Sequence, residues 1–202
     1  MSQKIVFMGT PEFSVPTLES LVNSNHKILA VYSQPASKAN RGQKIIPSKV
    51  EILAKEHTLN LRTPDSLDND EEYDYLKKLE PDIVIVVAYG KIIPKKFLNI
   101  PKFGFINLHA SLLPKWRGAA PMQRSIMNLD HETGITIMKI VEDLDAGPII
   151  HQDKIKINEN VDALSLSKLL SQLGAKSLIK AMNKIFNGDT SFQEQNHKEA
   201  TY

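Results

Sequence analysis

Two residues near the middle of the chain, Asn107 and His109, have side chains suited to a reaction at a carbonyl centre. They stand two positions apart at the end of an apolar, strand-like run, so both point to the same side of the strand. An amide N–H can hold a developing oxyanion, and an imidazole can move a proton. This combination would serve acyl transfer to an amine. An Asn-x-His pair at a strand end is, however, more often a structural pair than a catalytic one.

A carboxylate that orients the imidazole is the third group such a site requires. The segment 142–148 supplies Glu142, Asp143 and Asp145 between two predicted strands. An ordinary Asp/Gly turn in an α/β domain has the same composition. The pattern alone therefore leaves a catalytic and a structural interpretation open.

Short β-rich runs alternate with helical patterns along the 202 residues. Strands are predicted over 4–8, 28–32, 83–88, 103–108, 135–141 and 149–157, with helices between and after them. This order predicts an α/β domain with a largely parallel sheet, in which ligands bind at the carboxyl ends of the strands. The segment 34–47 is predicted to lack regular structure, and the polar segment 191–202 is predicted to be loosely held.

Several classes of site are disfavoured by composition. The chain has no cysteine, and its six histidines show no helical i, i+4 pair, so we expect no metal. The turn Gly9-Thr10-Pro11 has one glycine where a dinucleotide site needs three, which argues against a nicotinamide cofactor. No apolar run reaches membrane-spanning length, and strand-like residues begin at Lys4. We expect a cytoplasmic protein without a membrane partner.

Positive charge is clustered although the net charge is only +2. No Asp or Glu occurs from Ile83 to Leu129, and none from Gln34 to Val50. The second window contains Lys38, Arg41 and Lys44. Such clusters suit a polyanion such as RNA, or the carboxylates of a folate tail. A solvated basic surface without a partner gives the same pattern.

Ordered motifs carry a resemblance to a known family. Asn107-x-His109-x-Ser111-Leu112-Leu113-Pro114, followed by Asp145-x-Gly147, resembles the signature of the formyltransferases that use 10-formyltetrahydrofolate. Further segments resemble the branch of that family that formylates methionine on initiator tRNA. These are Gly9-Thr10-Pro11-Glu12-Phe13, Gln34-Pro35 with Arg41-Gly42, Val87-Ala88-Tyr89-Gly90, 116–121 and 132–136.

The resemblance implies a fold, a reaction and a set of site residues. The fold would be a Rossmann-like, mostly parallel sheet with helices on both faces. Formyl transfer from 10-formyltetrahydrofolate to the α-amine of initiator methionyl-tRNA would use Asn107, His109 and Asp145 as a catalytic trio. The folate-binding residues would be Tyr89, Gly90, Ser111, Leu112, Leu113, Pro114 and Asp143. The tRNA-binding residues would be Lys38, Arg41 and Lys44.

The resemblance also predicts the domain organisation and leaves two rival substrates. Residues 1–190 would form the catalytic domain, and 191–202 would begin a linker to a C-terminal β-barrel domain that this chain does not include. We expect a monomer. A glycinamide ribonucleotide formyltransferase would carry a Gly/Ser/Asn-rich phosphate loop in place of Thr10-Pro11-Glu12. A sugar-amine formyltransferase shares the trio, but not the basic loop around Arg41-Gly42.

Overall fold

Short strands of almost continuous apolar residues build the first of two units into which the chain divides, residues 1–105 and 106–202. The computed structural model describes residues 2–39, 44–158, 160–189 and 191–202. The strands of the first unit are β1 (Lys4–Gly9), β2 (Lys27–Tyr32), β3 (Ser37–Ala39), β4 (Lys44–Ile46), β5 (Leu61–Arg62) and β6 (Ile83–Val87). Its helices are α1 (Val15–Val22), α2 (Lys49–Glu56) and α3 (Asp70–Leu79).

The sheet of this unit has the order β5-β2-β1-β6, and each of these pairs is parallel. Residues Ile5 to Met8 and Ile83 to Val87 are buried, as expected for central strands covered on both faces. The predicted α/β architecture with a parallel sheet is therefore confirmed.

Capping residues define the helix starts in this unit. The Ser48 side chain accepts from the Glu51 N–H, as the Ser-x-x-Glu pattern predicts. The Asn69 side chain does the same for Glu72 in α3, which carries three acids in its first turn and lysines in its last. Each arrangement satisfies a backbone donor that the helix itself leaves unpaired.

The segment 34–47 differs from its prediction. Strands β3 and β4 form an antiparallel pair, with Lys38 opposite Ile45 and Ala39 opposite Lys44. Prolines and lysines in this segment suggested irregular structure, but the β-branched Ile45 and Ile46 favour extended backbone. Pairing so close in sequence needs no buried face, and Ile45 is in fact 71% exposed.

The second unit, which begins at the second residue of β7 (Phe105–His109), holds an antiparallel sheet of β7, β8 (Glu132–Lys139) and β9 (Ile149–Lys156), in that order. Its helices are α4 (Pro121–Met127) and the long α5 (Ala163–Phe186), whose N-cap is Asp162. The helix α5 packs against β8 and β9. In the part of the chain that the structure describes, no helix combines the length and apolar character needed to cross a bilayer.

The C-terminal segment, residues 191–202, is ordered against this unit, so the prediction of a loosely held segment is wrong. Gln193 pairs with Ile149 through two backbone hydrogen bonds of 2.8 Å. Gln195 is 5% exposed, and Thr201 hydrogen-bonds to residues 114–117. A polar segment without periodicity suggested disorder, but its polar groups have specific partners that composition does not reveal.

Candidate active site

The strand β7 holds Asn107 and His109 on the side opposite to α5. Between them, Leu108 packs against Gly174 of α5, where a Cβ atom would lie only 2.6 Å from Leu108 Cδ1. Because side chains alternate across a strand, Asn107 and His109 point away from that helix. Pairing with β8 sets Asn107 opposite Met138 and His109 opposite Thr136. The predicted projection of both side chains to one side is confirmed.

The turn between β8 and β9 brings Asp145 to both residues. Its Oδ2 lies 3.5 Å from His109 Nδ1, and Asn107 Nδ2 donates to its Oδ1 at 3.5 Å. The backbone N–H of Gly118 donates to Oδ2 at 2.8 Å. His109 is 7% exposed, so its interaction with the carboxylate is little screened by water. An amide donor, an imidazole and a carboxylate thus lie within one cluster.

The turn holds Asp145 in an unusual conformation. Asp145 has φ 48, in the left-handed region that costs energy for a residue with a Cβ atom. Two residues later, Gly147 approaches β8 so closely that a Cβ atom would lie 1.8 Å from the Lys139 carbonyl oxygen. Glycine at 147 is therefore required for the position of the turn.

The His109 ring has an oxygen atom near each nitrogen. Its Nε2 lies 2.8 Å from the Trp116 carbonyl oxygen, which can only accept, so Nε2 carries a proton. Nδ1 is the nitrogen that faces Asp145. Trp116 is held by its ring N–H, which donates to Asp130, and by its backbone N–H, which donates to Thr201 Oγ1.

Asp130 stays a carboxylate in this environment. Burial raises its pKa, but hydrogen bonds from Trp116 and Asn128, together with the Lys115 ammonium, outweigh burial. The pKa of Asp130 is therefore below its ordinary value. A charged acceptor consequently fixes the Trp116 ring, and with it the backbone that contacts His109.

The segment Ser111–Pro114 is hydrogen-bonded more completely than its sequence suggests. Thr136 Oγ1 donates to the Ser111 carbonyl and accepts from the Leu113 N–H. Gln152 donates to the Leu113 carbonyl at 2.9 Å. These backbone groups are paired because the segment packs on β8 and β9. The side chains of Leu112 and Pro114 remain partly exposed.

Tyr89 and Gly90 lie in the first unit, directly after β6. The Tyr89 carbonyl accepts from Thr10 Oγ1 at 2.8 Å and from Gln34 Nε2 at 3.0 Å. The Tyr89 ring is buried, burial raises its pKa, and its hydroxyl has no hydrogen-bond partner among the described residues. Gly90 has φ 79 and contacts Gln34.

The remaining predicted binding residues occupy surface positions or lie outside the described residues. Asp143 is exposed in the Asp145 turn, where its carbonyl accepts from the Ala146 N–H. Lys38 and Lys44 lie on the paired strands β3 and β4. Arg41 lies outside the residues that the structure describes.

Comparison with known proteins assigns the family. The model of the formyl transferase family matches residues 3–182. The chain belongs to the formyl transferase family. This formyl transferase is 56% identical, over its whole length, to a methionyl-tRNA formyltransferase of Pelagibacter ubique, and covers 66% of that relative. It is 45% identical to a methionyl-tRNA formyltransferase of a Sulfurihydrogenibium species, covering 98% of this chain and 64% of the relative. The chain thus spans just under two thirds of these relatives.

Solved structures of other formyltransferases share the fold. A phosphoribosylglycinamide formyltransferase from Anaplasma phagocytophilum superposes with a TM-score of 0.78 at 20% identity, covering 98% of this chain and 97% of the other. An N-formyltransferase from Helicobacter canadensis, solved with folinic acid and dTDP-3-aminofucose, gives a TM-score of 0.75 at 22% identity, covering 100% of this chain and 70% of the other. The predicted formyltransferase-type fold is confirmed.

Sequence reasoning missed the residues that support the cluster. The buried Arg117 guanidinium donates a hydrogen bond to the Gln195 side chain. The Trp116 carbonyl contacts His109, and the Gly118 N–H contacts Asp145. In the sequence, Trp116, Arg117 and Gly118 belong to the segment 116–121, which indicates only the family resemblance. Backbone contacts leave no side-chain signature, and nothing in the composition of 191–202 indicates that Gln195 is buried.

Proposed function

We propose that this formyl transferase moves the formyl group of 10-formyltetrahydrofolate to the α-amine of the methionine on initiator methionyl-tRNA. The observation that carries the proposal is the Asn107, His109 and Asp145 cluster, with both contacts to Asp145 at 3.5 Å. Two relatives at 56% and 45% identity bear the name methionyl-tRNA formyltransferase, which supports this acceptor over others.

The reaction needs one bond to form and one to break at the formyl carbon. The amine nitrogen attacks that carbon, and the carbonyl π electrons move to the formyl oxygen. The oxyanion then returns its electrons, and the bond between the formyl carbon and N10 of the folate breaks. The amine loses one proton and N10 gains one, so the products are formylmethionyl-tRNA and tetrahydrofolate.

Each residue of the cluster has a role in these steps. Asn107 Nδ2 has a second N–H that can donate to the forming oxyanion, a contribution of about 2.7–4 kcal/mol in comparable sites. His109 shuttles a proton from the attacking amine toward N10. General acid–base catalysis of this kind contributes about 10²–10⁴-fold. Asp145 orients the ring and stabilises the charge that it gains.

The folate site is proposed from the motif and from the exposure of its members. The partly exposed Leu112 and Pro114 offer apolar surface for a pterin ring. The exposed Asp143 carboxylate can accept from pterin N–H groups. The other proposed folate residues are Ser111, Leu113, Tyr89 and Gly90. A tetrahydrofolate analogue should slow hydrogen exchange at 111–114 and 143–147. Protection confined to 9–13 would favour a nucleotide ligand instead.

Contact with tRNA is proposed for Lys38, Arg41 and Lys44, because no acid offsets their charge between Gln34 and Val50. A planar guanidinium can bind phosphate or a base edge as an ammonium cannot. Arg41→Ala should therefore slow formylation of charged tRNA far more than hydrolysis of 10-formyltetrahydrofolate, which needs no RNA. An equal loss in both reactions would assign Arg41 to folding or to the folate site. Binding should weaken steeply with salt.

One assay tests the proposed function directly. Transfer from labelled 10-formyltetrahydrofolate would be measured on charged initiator tRNA, an aminosugar nucleotide and glycinamide ribonucleotide in parallel. We expect the tRNA to be strongly preferred, as measured by kcat/KM. A preference for either small amine would replace the tRNA proposal with that substrate. Loss of donor turnover with all three would contradict formyl transfer itself.

A further inference from the structure

The C-terminal segment contacts both loops that surround His109. Gln193 pairs with Ile149 at the start of β9, and Thr201 exchanges backbone hydrogen bonds with Pro114 and Arg117. Between these two attachments, the Gln195 side chain enters the unit and is 5% exposed. The segment is thus fixed at both ends, and Gln195 is its buried polar residue.

The Gln195 amide uses both of its ends. Its Nε2 donates to the carbonyl oxygens of Asp145 at 2.9 Å and Gly147 at 2.7 Å. Its Oε1 accepts from Arg117 Nε at 3.1 Å and Nη2 at 2.7 Å. Two N–H donors and two lone pairs are all that an amide side chain offers. This one group therefore joins the turn that carries Asp145 to the loop that carries Trp116 and Gly118.

Both joined loops touch the His109 and Asp145 pair. The Trp116 carbonyl accepts from His109 Nε2, and the Gly118 N–H donates to Asp145 Oδ2. Asp145 itself is in the left-handed region, with φ 48. A residue other than glycine keeps such a backbone only where its surroundings hold it. The two hydrogen bonds from Gln195 to carbonyls of this turn act directly on that backbone.

We propose that Gln195 is a positioning residue, which holds the Asp145 turn so that the carboxylate faces His109. This inference rests on the role proposed above for Asp145. The segment that follows α5 then contributes to turnover. Because Gln195 acts through Asp145, its loss slows the transfer step and leaves the binding of donor and acceptor nearly unchanged.

Gln195→Glu separates the two halves of the interaction. The carboxylate keeps the acceptor for Arg117 but cannot donate to the Asp145 and Gly147 carbonyls. We expect kcat of formyl transfer to fall by about tenfold or more, since small displacements of catalytic groups are costly. KM for 10-formyltetrahydrofolate should change less than about twofold, because Gln195 acts through Asp145 and not on donor binding. Gln193→Glu, the same substitution at an exposed position of the segment, should keep wild-type kcat.

A double-mutant cycle distinguishes positioning from a general loss of structure. In an Asp145→Asn background, Gln195→Glu should add less than about a twofold further loss, because the group through which it acts is already impaired. Equal losses in both backgrounds, or wild-type kcat for the single variant, would overturn the proposal. If Gln195→Glu does not unfold cooperatively, Gln195→Met takes its place in the cycle. This substitution removes the two donors without burying a charge, and the same outcomes apply.

The same cycle keeps the two proposals distinguishable. If Asp145→Asn alone retained wild-type activity, the proposed roles of Asp145 and of Gln195 would both be refuted. If Asp145→Asn were slow and Gln195→Glu were not, only the positioning role would be lost.

Discussion

Replacing Gly147 with alanine should impair catalysis by moving the turn that carries Asp145. The new Cβ atom would lie 1.8 Å from the Lys139 carbonyl oxygen and 2.9 Å from the carbonyl carbon. Both are backbone atoms of the last residue of β8. Relief to an ordinary contact of about 3.3 Å needs a shift of about 1.5 Å. The position of Asp145 relative to His109 Nδ1, now 3.5 Å from its Oδ2, would change by a comparable amount. A misplacement of about 1 Å can cost a hundredfold in rate, so we expect kcat to fall by about a hundredfold.

The assay for Gly147→Ala pairs initial rates of formyl transfer with the unfolding transition, because overpacking also costs about 1–3 kcal/mol of stability. Gly188→Ala is the matched control. Gly188 has φ 80 with no atom within 4 Å of a Cβ, so alanine there costs about 1–2 kcal/mol through backbone strain alone. The control should lose similar stability and keep its rate. A Gly147→Ala variant that is destabilised but turns over normally would refute the reasoning.

Three other perturbations have defined outcomes. Asn107→Ala and His109→Ala should each lower kcat at least about a hundredfold, with binding of a tetrahydrofolate analogue retained by calorimetry; near-normal turnover in either variant would remove its assigned role. Arg62→Ala leaves the buried Glu72 without its partner at 2.6 Å, so urea denaturation should show a loss of about 3 kcal/mol. A loss under about 1 kcal/mol would class the pair with weak surface pairs. Because the pKa of Asp130 is lowered on folding, its stabilisation is present above the ordinary value of 3.8 and is lost as pH falls through the folded value. Asp130→Asn should flatten the acid side of the stability profile, and an unchanged acid slope would contradict the shift.

The strands and the placement of Asn107 and His109 could be predicted because each has a local signature. The buried strand β6 is a continuous β-branched run, and the pattern of Ser48 and Glu51 predicts the capped start of α2. Asn107 and His109 needed only strand periodicity to be placed on one side. The family resemblance supplied Asp145, because turn composition alone left its role open.

The rest depended on contacts distant in sequence. The hydrogen bonds between Arg117 and Gln195 join residues 78 positions apart, and no sequence periodicity predicts a contact at that separation. Backbone carbonyls of Ser111 and Leu113 accept from Thr136 and Gln152, on strands that only the folded register brings there. The β3 and β4 pair was missed because exposed isoleucines lack the alternation that marks a half-buried strand.

The attachment of residues 193–201 also has a consequence for how the protein is made. Chains emerge from the ribosome at about 5–20 residues per second, and Gln195 follows Asp145 by 50 residues. The donors that hold the turn are therefore translated about 3–10 s after the turn itself. A nascent chain arrested after α5 would contain Asn107, His109 and Asp145 and still lack the hydrogen bonds that fix them.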